Sequence, residues 1–168
     1  MEGTFDVKEL TSILEEEVVA HNEMVRTAGC INRAVLHREV DKVRSLTDAF
    51  DSLAEQVEVL EAKRQDIVRC FAREHFQSNA VLRIQTIIEA VGDPFRSRLA
   101  ELGAALKKSV HNLMTINTSN KILLEENLKG VAMQFDLAAR FRTKLNNYSH
   151  SGNLESATIS RHFVNRTA

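Results

Sequence analysis

Residues 116–130 read INTSNKILLEENLKG. Leucine and isoleucine recur there at helical spacing, yet Asn117, Asn120 and Asn127 fall along or beside the stripe that a packed helix keeps apolar. Extending the reading outward gives Leu99, Leu102, Leu106, Val110, Leu113, Ile116, Asn120, Leu124, Leu128, Val131, Phe135, Ala138, Phe141 and Leu145. Every step is three or four. The ladder covers 46 residues in 13 steps, about 3.5 residues per step, which is the repeat of a left-handed supercoil. At ~1.5 Å per residue such a helix spans ~75 Å, more than a compact four-helix core covers. Part of it must pack on other helices of the chain, and the rest must fray, bend or meet a partner.

Two more ladders precede it. Val7, Leu10, Leu14, Val18, His21, Val25, Ala28, Ile31 and Val35 make one helix face, with Asp6 placed as N-cap and Glu9 three residues on. His21 reads as a boundary histidine with a local hydrogen bond. Val43, Leu46, Phe50, Leu53, Val57 and Leu60, continuing through Arg64 to Ile67 and Phe71, make a second face. The apolar spacing lapses at His37–Glu39, so a tight turn near residues 37–41 is expected, with the second helix running to about 75. HFQSNA (75–80) breaks the pattern and VLRIQTIIEAV (81–91) forms a short helix. Gly92-Asp93-Pro94 then ends one helix and starts the next, with Pro94 expected at the first helical position, where its missing N–H costs nothing. The predicted fold is all-α: an elongated antiparallel bundle or coiled coil of three long helices and one short one over residues 1–145. Residues 146–168, rich in Ser, Asn and Thr, are expected to form a flexible tail, because they cannot bury enough apolar surface alone to offset the entropy of ordering.

Composition agrees. One Pro, six Gly and no Trp in 168 residues argue against the many turns of a sandwich or barrel. Net charge is −1, but residues 1–93 carry −7, residues 94–145 carry +5 and residues 146–168 carry +1. Opposite charges on the two halves of the body favour their packing on each other. Cys30 and Cys70 lie far apart in apolar stripes and read as small buried hydrophobes in a reducing compartment. No stretch is apolar enough to span a membrane, and MEGTFDVKEL is not a signal peptide. A cytoplasmic protein is the expectation.

The sequence offers no catalytic constellation. No acidic residue stands three before any His, as a di-iron bundle needs. There is no His-Glu-x-x-His, no phosphate-binding Gly loop and no Gly-x-Ser-x-Gly. Cys70, Glu74 and His75 lack a fourth metal ligand. Arg140, Arg142 and Lys144 suit a helix C-terminus and lack the interleaved aromatics of a nucleic-acid surface. Neither enzyme, cofactor, metal nor nucleic-acid partner is therefore expected. What remains is surface for binding protein.

Four segments stand out together: the acidic first helix LTSILEEEVVAHNEMV (10–25), LAEQVEVLEAKR (53–64) ending in Glu61-x-x-Arg64, LMTINTSNKILLEENL (113–128) with its paired asparagines and leucines, and YSHSG (148–152). In this order they resemble the FlgN family of flagellar export chaperones. The resemblance implies a small cytoplasmic chaperone that needs no ATP. Its clients would be hook-associated proteins of the FlgK and FlgL type, gripped by their C-terminal helices before type III export. It also implies docking on the cytoplasmic domain of the export-gate protein FlhA, with Tyr148 and Gly152 as the matching positions. Tyr148 is the only tyrosine; it is either such an anchor or packs back on the helix end. If the tail folds on a client, Leu154, Ile159 and Phe163 are the expected apolar contacts. Asn117 and Asn120 either meet water at the stripe's edge or fix helix register, with Glu61 or Arg64 as partners. The alternative from another class is a structural coiled coil that pairs only with itself, as a homodimer without client.

Overall fold

The computed structural model describes residues 5–76 and 82–146. Among the described residues there are four helices and no strand: α1 (Val7–Leu36), α2 (Val40–Phe76), α3 (Ile84–Ala90) and α4 (Phe95–Asn146). Three long helices and one short one are what the ladders predict. The chain divides into two compact units, residues 1–124 and 125–168.

In the first unit, α1 begins where Asp6, in extended backbone, accepts a hydrogen bond from Lys8 N through Oδ1 at 2.8 Å. That satisfies one of the donors a helix start leaves open. Phe5, just before it, donates its N–H to Glu74 Oε1 of α2 at 2.8 Å and sets its ring edge-on to Phe71. At the other end, Glu39 N bonds Ala34 O at 2.9 Å and Arg38 N bonds Val35 O at 3.1 Å. This pair of bonds is a Schellman cap, with Arg38 at the left-handed position, φ 57°. Three residues thus reverse the chain without glycine, and α2 returns antiparallel to α1.

The junction before α4 differs slightly from the expectation. Val91 caps α3, and α4 starts at Phe95, so Pro94 precedes the first helical residue. The Asp93 carboxylate accepts from Ser97 Oγ at 2.9 Å, while Arg96 N bonds Gly92 O. The three-residue boundary is where the sequence puts it, shifted by one position.

Leu10, Ile13 and Leu14 of α1, Ile67, Val68 and Phe71 of α2, Ile87 and Ile88 of α3, and Leu99 and Leu102 of α4 form one core. Fully burying a side chain of this size is worth roughly 1.5–3 kcal/mol, so this four-helix end anchors the unit. Beyond it α1 carries the contacts. Arg98 meets Glu15, Ser109 meets Asn22, and Asn120 meets Asn32. Residue numbers rise together in these pairs, so α4 runs parallel to α1, and the order is up, down, up.

The packed seam of α4 is not quite the apolar ladder. Leu99, Leu102, Leu106, Ser109, Leu113, Ile116, Asn120 and Leu123 are buried or half-buried, alternating strictly by three and four. Ser109 and Leu123 take the places expected for Val110 and Leu124, which are exposed. On α1, likewise, Glu17 and Met24 are buried more deeply than their neighbours Val18 and Val25.

In the second unit the described residues belong to the last part of α4. Leu128, Val131, Met133, Phe135, Leu137 and Phe141 are all exposed there. Arg140 and Asp136 form an i,i+4 ion pair at 2.7 Å.

Candidate functional site

Three features of the described residues differ from ordinary bundle packing. The first is a polar seam between α1 and α4. Asn120, 7% exposed, donates through Nδ2 to Ala28 O at 3.0 Å and accepts at Oδ1 from Asn32 Nδ2 at 2.8 Å. Asn32 also reaches Ser119 Oγ at 3.3 Å, and Ser109 donates to Asn22 Oδ1 at 2.6 Å. Each buried polar group there has a partner, so the seam avoids the cost of orphaned donors. At its base Arg98 donates to Glu15 at 2.6 Å, and this bond raises the guanidinium's pKa above its ordinary value.

The second feature is a buried ion pair. Glu17 is 1% exposed in the middle of α1, on the face that otherwise carries Leu10, Leu14 and Met24. Arg64 Nε–H of α2 bonds both its carboxylate oxygens, at 2.9 and 3.0 Å. The Nη2 group of Arg64 reaches Glu61 at 3.3 Å. His21, one turn on, donates from Nδ1 to Glu17 O at 2.8 Å, which is the local bond expected of it.

The third feature is the exposed apolar stripe of α4. Leu128, Val131, Phe135, Ala138 and Phe141 follow helical spacing, and Leu128 and Phe135 are 68% and 72% exposed. A contiguous set of large exposed apolar side chains marks an interaction surface more often than a solvated face.

The residues singled out in the sequence fall unevenly on these features. Asn120 lies in the seam, but its partners are Asn32 and Ala28 of α1, not Glu61 or Arg64. Those two belong to the Glu17 cluster, on a different set of α1 contacts. Asn117 is exposed and Asn127 half-buried. Cys30 and Cys70 are free and half-buried rather than fully buried, each with an arginine three residues on donating to its Sγ. Tyr148, Gly152, Leu154, Ile159 and Phe163 lie outside the described residues. Glu17, Asn22, Asn32 and Ser109 are not legible as site residues in the sequence. The available signal is polarity at a heptad position, which a search for apolar spacing steps around.

Among the described residues no group of three or more His, Cys, Asp or Glu is placed to hold a metal ion, and no helix is long and apolar enough to cross a membrane. A family model described as FlgN protein matches residues 1–156. The chain belongs to the FlgN family. The FlgN family is one of chaperones of flagellar assembly, and the all-helical architecture fits it. No curated protein and no solved structure matches the chain.

Proposed function

We propose that this FlgN-family chain is a cytoplasmic type III export chaperone for the proteins of the hook–filament junction. It holds the C-terminal helices of FlgK- and FlgL-type clients, prevents their premature assembly and delivers them to the cytoplasmic domain of FlhA. The observation that carries this reading is the stripe Leu128, Val131, Phe135 and Phe141, exposed on a helix of a chain from a chaperone family. An amphipathic client helix laid against such a stripe buries its own polymerising face, as helix-in-groove partners do. No covalent chemistry is needed.

Residues 1–145 serve in this reading as the helical body and residues 146–168 as an adaptable tail. Tyr148 and Gly152 are assigned to the export gate, and Leu154, Ile159 and Phe163 to the client. Asn117, Asn120, Glu61 and Arg64 serve the body's internal alignment. Ordering a tail on binding offsets part of the contact energy, which keeps release easy.

Capture from flagellated-cell extract tests the reading. The full chain should retain hook-associated proteins, identified by mass spectrometry, and deletion of residues 149–168 should abolish that retention with helical content nearly unchanged. Retention of nothing but further copies of the chain, with a tight homodimer in sedimentation, would instead favour the structural coiled coil.

A further inference from the structure

The Glu17–Arg64 pair borders a cavity of about 280 Å³ among α1, α2 and α4. Glu17 and Arg64 line it together with Val57, Leu106 and Val110, and His21 and Glu61 stand beside them. Small-ligand sites usually hold ~300–1,000 Å³, so this one is sized for a side chain or two rather than a cofactor. Two carboxylates share one guanidinium there, which leaves the cluster of Glu17, Glu61 and Arg64 with one excess negative charge.

The hydrogen bonds point the same way. A carboxylate has about four acceptor sites, and a single Arg64 N–H serves both oxygens of Glu17. A carbonyl can only accept, so His21 Nδ1 carries the proton in its bond to Glu17 O, and in the neutral ring Nε2 is left as an acceptor. A nearly buried carboxylate with spare acceptor capacity, beside apolar walls, matches a cation on an aliphatic stem. Lysine and arginine have that form, since their stems bury against apolar surface while the head group finds charge. A bare metal ion does not fit, because the described residues offer no ligand set for one.

We propose that this cavity is a socket for a lysine or arginine side chain presented by a partner's amphipathic helix. The proposal rests on the reading that the chain binds helices, and it adds a specificity element distinct from the apolar stripe of the second unit. Glu17 supplies the counter-charge, Arg64 holds its carboxylate in place, and Val110 on the exposed rim controls entry.

The test titrates the full chain with two short helical peptides that share a leucine stripe and differ at one central position, lysine in one and norleucine in the other. The lysine peptide should bind about tenfold tighter, the ratio a charge-assisted hydrogen bond supplies. Glu17→Gln should bring the ratio to about one. Because Glu17→Gln perturbs a buried pair, Val110→Trp, which fills the mouth from an exposed position, should erase the preference independently. Equal binding of the two peptides by the unchanged chain, or binding of neither, overturns the socket. So does a preference that survives both variants. A shift from dimer to monomer on Glu17→Gln would assign the cavity to a second copy and overturn it too. If the socket fails in any of these ways while the unchanged chain still retains hook-associated proteins from extract, the chaperone reading stands without it. If that retention fails as well, both fall.

Discussion

Asn120 lies in the packed seam of α4 between the half-buried Ile116 and Leu123. Its amide is satisfied by one carbonyl and one amide of α1, and sliding α4 by a single turn, ~5.4 Å, would break both bonds. A register device of this kind lowers stability in exchange for a unique alignment. Asn120→Leu should nevertheless lower Tm by a few degrees, equivalent to about 1 kcal/mol, because it removes the shorter of the Asn32 amide's two bonds and the side-chain donor on the Ala28 carbonyl despite the added apolar area. Thermal unfolding followed by circular dichroism reads this directly, and a rise of several degrees would contradict it. Asn120 is legible in the sequence because no apolar residue beside it continues the ladder. Glu17 and Ser109 are not, because Val18 and Val110 stand next to them and satisfy the same spacing. Periodicity alone cannot choose between adjacent residues when the polar one has a buried partner elsewhere in the chain.

At the scale of the element, the turn between α1 and α2 is visible as a lapse in apolar spacing, but its mechanism is not. Helices that end in a left-handed residue usually place glycine there, and this one places Arg38. A non-glycine residue in that region carries a steric cost of roughly 1–2 kcal/mol. Glycine removes it while adding some freedom to the unfolded chain. Arg38→Gly should thus stabilise the first unit by about 0.5–1 kcal/mol, measured as a higher denaturant midpoint with the slope unchanged. Gly92-Asp93-Pro94 locates the start of α4 to within one residue, since proline and glycine act locally. The buried face of α4 is less legible, because tertiary partners on α1 set it.

For the whole molecule, three long helices and one short one follow from the ladders, and the length of the last ladder leaves a part of α4 that must fray, bend or meet a partner. Leu128, Val131, Phe135 and Phe141 are exposed on that part. Periodicity cannot say what covers them; the chaperone family is legible only through segments such as Glu61-x-x-Arg64 and the paired asparagines. Sheltering of a client helix by this stripe is tested most directly by calorimetric titration. The full chain is titrated with a peptide spanning the C-terminal helices of a hook-associated protein, and the titration is repeated with the Val131→Asp/Phe135→Asp double variant. The unchanged chain should bind saturably, and the variant should lose at least about 100-fold in affinity with its helical content intact. Equal affinity in the two chains would contradict a sheltering role for the stripe.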